Sequence, residues 1–519
     1  MNLRHRRRLR VAVAAIGSLS FTANAIAQEN ACAALTASGL FANTTIEAVK
    51  QIPADPKANI AAHCEVTGVI TPTAGSRIGV VYRLPESWNG KMLGLGGGGF
   101  AGNVTQETAL PGLAKGYAVA QTDGGHVSPK SQDPSFAMLP SGELNKEGVT
   151  DFGHRAVHLM TNTGKDLIAK FYGRPQQKAY WQGCSTGGRQ GLAEIQRYAT
   201  DYDGVIAGAP VYNNVVYTSA MLRTQHFHKT PGSNLLPEHV PLIASAVLKA
   251  CDMLDGVADG ILTDPRQCKW DPAELQCTGA PGPTCLTPAQ VATVRKMYDG
   301  VKGADGTDYA APLMRGAEPD WLARSVGTPQ LPHGINAVLG APFISILVKQ
   351  KPDYDLFSFD PMKDMAELEA SFASAQFSAG NPNITPFLDR GGKLILWHGF
   401  NDPGPSPLQT IKYYERVAQA VTGKTGAEGI DALKSKARLF LVPGVFHCRG
   451  GPGTDQFDAL TALDNWVERG EAPERIIASK ASSPIRRPLC AYPQVARYNG
   501  SGDTNDAANF TCGAAASSP

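Results

Sequence analysis

From Ile78 onward, short apolar runs ending in Gly or another small residue recur along the chain: IGVVYRL, KMLGLGG, YAVAQTDGG, AYWQGCS, GVIAGAP, KLILWHG and ARLFLVPG. Between several of them lie stretches with helical spacing of apolar positions, such as FGHRAVHLMTNTGKDLIAKFYG and GGRQGLAEIQRYATDY. Strands alternating with helices predict a mostly parallel α/β sheet covered on both faces. The alternation lapses over about 213–384, a segment longer in loops, rich in Pro and Gly, and carrying four of the ten cysteines. It reads as a lid inserted between two strands, dividing the core into 28–212 and 385–519.

The N-terminus adds a compartment to this picture. Five arginines (Arg4, Arg6, Arg7, Arg8 and Arg10) precede an apolar run from Val11 to about Phe21, and ANAIA offers small residues for cleavage. Residues 1–27 therefore read as a secretory signal cleaved after Ala27. The apolar run is well short of the roughly 20 residues a membrane span needs. Removing the segment takes the formal charge from +2 to +2 − 5 = −3. A slightly acidic chain carries no basic footprint for nucleic acid, and no later apolar run is long enough to span a bilayer.

An even number of cysteines in an exported chain predicts five disulfides. Proximity in sequence pairs Cys32–Cys64, Cys251–Cys268, Cys277–Cys285 and Cys490–Cys512. Cys184 and Cys448 are left. The chain has no CxxC pair of the kind a cysteine zinc site uses.

Those two cysteines each touch a candidate for chemistry. GCSTG, Gly183 to Gly187, is the one G-x-S-x-G in the chain, and it lies between a strand-like and a helix-like run. That is the setting of a nucleophile elbow, with Ser185 on a sharp turn at a helix N-terminus. A serine hydroxyl needs a base, and in an α/β hydrolase the order is Ser, Asp or Glu, His, each just past a strand. Asp402 follows KLILWHG and His447 follows ARLFLVPG. His398 is a rival base, but it precedes Asp402. Cys184 comes directly before Ser185 and Cys448 directly after His447. A bridge between them ties nucleophile to base and closes a loop of more than 260 residues, a contribution on the order of 5 kcal/mol in the chain-entropy model. The oxyanion site is expected from the N–H of Thr186 and one from the glycine turn Gly96–Gly99.

With Cys184-Ser185, Asp402 and His447-Cys448 in place, the sequence resembles the tannase and feruloyl esterase family of α/β hydrolases. The likeness runs from about Ala31 to Cys512 and includes ATDYDGVIAGAP, DRGGKLILWHG, LVPGVFHCRGGPGTDQFDALTALDNWVERGEAP and RPLCAYPQVARYNGSGD. The resemblance implies a secreted serine esterase without an organic cofactor, with Gly99 and Thr186 supplying the oxyanion N–H groups. It also implies a structural calcium in the lid. CDMLDGVADGILTDPRQC already crowds Asp252, Asp255 and Asp259 into eight residues, carboxylates that repel unless solvated or holding a hard ion. The family adds the backbone carbonyls of Val257 and Ile261; Asp264 stays outside this set.

Departures from the family fall where the substrate is chosen. Its terephthalate half-ester hydrolase uses a lid arginine to hold a free carboxylate, and the matching stretch LPHGINAVLGAPFISILVKQKPDYDLF is apolar. Gly98 stands where that enzyme has Ser, and Pro405 where it has Phe. An uncharged aromatic acyl group is therefore expected, foremost a hydroxycinnamoyl (feruloyl) ester of a plant-wall sugar or quinate, then gallate esters, then terephthalate half-esters. Trp321, Phe343, Tyr354 and Phe357 fit either an aromatic-binding wall or the lid's own core. Two other classes remain: a non-catalytic, calcium-stabilised exported binding protein, which the intact Ser, Asp and His argue against, and a serine peptidase on the same core.

Overall fold

The computed structural model describes residues 30–515, apart from 37–38, 40, 58–59, 61 and 103. The expected signal, 1–27, lies outside the described residues. A nine-stranded sheet forms the centre. Its strands are β1 (Thr44–Ile52), β2 (His63–Ile70), β3 (Ile78–Pro85), β4 (Lys91–Leu95), β5 (Ala118–Thr122), β6 (Lys178–Cys184), β7 (Gly204–Gly208), β8 (Lys393–Gly399) and β9 (Ala437–Val442), in the order β1-β2-β3-β5-β4-β6-β7-β8-β9. The first three strands and β5 pair antiparallel; from β5 through β9 the pairing is parallel.

Both faces of the parallel part are buried, which is why those strands read as apolar runs. On β6 Trp181 joins one core and Tyr180 the other. On β7 Val205 and Ala207 face one way and Ile206 the other; on β8 Leu394 and Leu396 oppose Ile395. Helix α1 (Ala156–Tyr172) and helix α2 (Thr186–Arg197) cover the Trp181 side, contributing Met160, Leu167, Leu192 and Ile195.

Between β7 and β8 the chain leaves the sheet. Within that excursion Phe227, Trp270, Tyr298 and Trp321 build one apolar cluster, while Tyr217 and Phe343 join Phe100, Phe136 and Phe152 of the core in another. Helices α3 (Val215–His228) and α4 (Gly334–Pro342) carry the excursion over the sheet. All five expected disulfides form, and Cys184 and Cys448, 264 residues apart, have Cα atoms 6.1 Å from each other. Among the described residues, no helix is long and apolar enough to cross a membrane.

Candidate active site

β6 runs into α2 with Ser185 alone between them, at φ 62° and ψ −120°. A non-glycine residue pays about 1–3 kcal/mol for such a conformation, so its surroundings must dictate it. A Cβ on Gly183 would lie 2.6 Å from the Gly187 backbone, and one on Gly188 would lie 2.2 Å from the Gly208 carbonyl. The glycines thus let the turn close against the sheet, and the buried Trp181 indole donates to the Gly187 carbonyl at 2.9 Å.

The ends of β8 and β9 deliver the partners. His447 Nε2 lies 2.8 Å from Ser185 Oγ, and His447 Nδ1 lies 2.6 Å from Asp402 Oδ2. With the proton on Nδ1, the imidazole donates to the carboxylate and Nε2 accepts from the serine hydroxyl. Asp402 is fully buried; Gly404 N–H donates to its Oδ1 at 2.7 Å and His398 Nε2 reaches Oδ2 at 3.1 Å. Burial alone would raise this carboxyl, but the His447 charge and hydrogen bonds from both imidazoles outweigh it and hold Asp402 well below the usual carboxylate range. His398, weighed as a rival base, thus stands behind the acid, its Nδ1 2.7 Å from Thr410 Oγ1. The Cys184–Cys448 bridge joins the residues flanking Ser185 and His447, with Cys448 itself at φ 63°.

Thr186 opens α2, so its N–H has no acceptor within the helix. Its hydroxyl donates to the Gly99 carbonyl at 2.9 Å, tying the two expected oxyanion residues together. Gly99 has φ 56°, and a Cβ there would lie 2.4 Å from the Ser131 carbonyl. Both line the same cleft as Ser185 and His447.

The cleft's apolar wall is made by Phe100, Val211, Val216, Tyr217, Leu339 and Pro405. None of the four aromatic candidates lines it. Both Trp321 and Phe343 are fully buried, Trp321 in the lid's own cluster and Phe343 in the cluster shared with the core, stacked on Tyr217 at 3.7 Å, while Tyr354 and Phe357 are half-buried away from the cleft. Sequence reasoning also missed the polar lining: Arg223, Arg324 and Asn336. Arg324 lies just before the stretch searched for a cation, and it is paired with Asp320 at 2.6 Å. Arg223, fully buried, donates to the carbonyls of Pro403, Gly404 and Ala311 at 2.9 Å each, and Asn336 donates to Pro403 at 3.0 Å. The lid thereby grips the loop that follows Asp402.

The lid loop expected to hold calcium is wound by Gly256 and Gly260 at positive φ and stapled by Cys251–Cys268. Asp252 accepts from Gly260 N–H at 2.9 Å, and Asp255 accepts from Val257 and Thr263 N–H at 3.0 and 3.1 Å. Asp259 accepts from Ile261 N–H at 3.0 Å, and its other oxygen pairs with Arg487. Burial and the Asp259 charge both raise Asp252 and Asp255 above the usual carboxylate range, the condition a hard cation would relieve. This oxygen-only donor set fits calcium, although the three carboxylates do not all draw within 4.8 Å of one another. Asp264 is engaged by Arg266 at 2.7 Å.

A serine on a nucleophile elbow, backed by His and a buried Asp at the ends of parallel strands, defines a serine hydrolase of the α/β-hydrolase fold. The chain belongs to the tannase and feruloyl esterase family, whose model matches residues 64–513, and it is a carboxylic ester hydrolase. It is 35% identical to a mono(2-hydroxyethyl) terephthalate hydrolase of Piscinibacter sakaiensis, over 87% of this chain and 85% of that protein. It is 32% identical to feruloyl esterase B of Aspergillus niger, over 86% of each. The crystal structure of feruloyl esterase B from Aspergillus oryzae superposes with a TM-score of 0.82 at 28% identity, covering 93% of this chain and 100% of the other.

Proposed function

We propose that the chain cleaves esters of aromatic acids with Ser185 as nucleophile, His447 as base and Asp402 as the group that orients it. Ser185 Oγ attacks the ester carbonyl while its proton passes to His447 Nε2, and Asp402 stabilises the imidazolium. The N–H groups of Gly99 and Thr186 take the developing oxyanion. His447 then gives its proton to the leaving alcohol, and water, activated by the same imidazole, releases the acid and restores Ser185. The observation that carries this reading is the unbroken Asp402–His447–Ser185 relay opening onto a mostly apolar cleft.

For the acyl group we favour a hydroxycinnamate such as ferulate, esterified to a plant-wall sugar or quinate. Tyr217, Phe100 and Leu339 suit a flat ring, and Asp320 neutralises Arg324, leaving the cleft without an unpaired cation at that point. A terephthalate half-ester is the second reading, favoured by the presence of Arg324 itself; gallate esters rank behind both. The calcium proposed for the lid would be held by Asp252, Asp255, Asp259 and the carbonyls of Val257 and Ile261, and would neutralise the carboxylates and fix the loop. Export to an oxidising compartment completes the proposal, supported by five disulfides with no free cysteine among the described residues.

The test is hydrolysis of methyl ferulate, methyl gallate and mono(2-hydroxyethyl) terephthalate by the purified protein beside Ser185→Ala. Turnover led by the ferulate and lost in the variant is expected. Turnover that survives in Ser185→Ala, or no turnover of any aromatic ester, overturns the assignment.

A further inference from the structure

Nine residues beyond Ser185 on α2, Glu194 is fully buried, and neither of its carboxylate oxygens meets a hydrogen-bond donor. Facing it are Asp201, 4% exposed on the way into β7, and the half-buried His158 of α1. One ligating atom from each of the three lies within 4.8 Å of the others, the only such group among the described residues. His158 Nδ1 is 2.7 Å from Asp201 Oδ2. The imidazole is held flat by Tyr198, stacked on it at 3.8 Å, with Asn162 Nδ2 3.2 Å from Nε2.

Two carboxylates do not face each other bare in a dry interior; a proton or a cation must stand between them. Lys165 of α1 acts on both electrostatically but forms no ion pair with either within 4.0 Å. We propose that His158, Glu194 and Asp201 bind one divalent transition-metal ion, zinc by its donor chemistry. One imidazole nitrogen and two carboxylate oxygens suit zinc, whose tetrahedral ligands sit about 2.1 Å from the ion and so about 3.4 Å from each other. Calcium and magnesium call for six or more oxygens and do not take imidazole by preference. None of the three residues lines the substrate cleft, so the ion is structural. It joins α1, α2 and the entry to β7, and so braces the far end of the helix that begins at the nucleophile.

The experiment strips the purified protein with a transition-metal chelator, keeps calcium in excess to occupy the lid loop, and titrates with Co²⁺ and then Zn²⁺. One equivalent of Co²⁺ with a visible ligand-field band, displaced by Zn²⁺, is expected. A Tm rise of roughly 2–5 °C is expected at hundredfold excess of Zn²⁺ over Kd. Glu194→Gln and His158→Gln should each abolish the band and the shift. His158, being half-buried, keeps the test valid if Glu194→Gln does not fold. No stoichiometric metal in the wild-type protein, or an unchanged cobalt band in His158→Gln, overturns the site and leaves a proton shared between the carboxyls.

Discussion

His398 and His447 reach the same oxygen, Oδ2 of Asp402, at 3.1 and 2.6 Å. The base that takes the serine proton and the imidazole behind it are thus held by one atom, and losing the second loosens the first. His398→Ala should lower kcat about 10- to 100-fold with KM little changed, the worth of one hydrogen bond to a charged group. His398→Gln, which keeps an N–H donor, should recover part of it. Steady-state kinetics of the two variants decides; kcat within twofold of wild type in His398→Ala would reduce the residue to packing.

The bridge between Cys184 and Cys448 makes its own prediction. Replacing both by Ala should lower unfolding stability by up to about 5 kcal/mol. At a temperature where circular dichroism still reports a folded chain, kcat should also fall, by roughly tenfold or more, because the serine–imidazole distance is no longer fixed covalently. Full activity in the folded double variant would sink the positioning role.

Arg324 is neutralised by Asp320 at 2.6 Å. Asp320→Asn should release the guanidinium into the cleft and raise kcat/KM for the terephthalate half-ester, relative to methyl ferulate, by about tenfold. An unchanged ratio would mean that the arginine does not face the acyl group.

Glu318, fully buried, is pushed up to about 7 by burial, against hydrogen bonds from Tyr298 and Gly316. Its folded form holds the proton more tightly than the unfolded chain does. That contribution is fully present below about pH 4.5 and is lost as pH rises through about 7, roughly 3 kcal/mol in all. Asp402 runs the other way: its contribution is present above about pH 4 and fades only as the solution becomes strongly acidic. Chemical denaturation at pH 5 and pH 8 should show the Glu318 loss in the wild type and a flatter profile in Glu318→Gln; equal slopes would contradict it.

For the lid, EGTA should lower Tm by several degrees and added calcium should restore it, with Asp255→Asn insensitive to both. A Tm indifferent to EGTA would remove calcium from the account and leave Arg487 as the partner of Asp259.

The sequence made Ser185, Asp402 and His447 legible because each sits just past a strand, and strand ends show as apolar runs closed by small residues. The disulfides were legible from spacing and elimination. Arg223 and Asn336 were not, because their partners are backbone carbonyls about 180 and 67 residues away, and a carbonyl leaves no signature in sequence. Trp321 and Phe343 stayed undecided in the sequence for a related reason: an aromatic residue in a lid looks the same whether it faces a ligand or, as both do here, a core. Glu194 passed as one polar position on an amphipathic helix, since burial of a single turn is set by what packs on it.

The bond between Cys184 and Cys448 also limits how early the reactive pair can be tethered. The second sulfur enters the growing chain 264 residues after the first, so neither synthesis of the nucleophile nor folding of the first half of the sheet completes the reactive pair. A nascent chain in a reducing environment keeps Ser185 and His447 untethered. The covalent tether between nucleophile and base is therefore a late acquisition, available only once Cys448 has been made and both thiols have been oxidised.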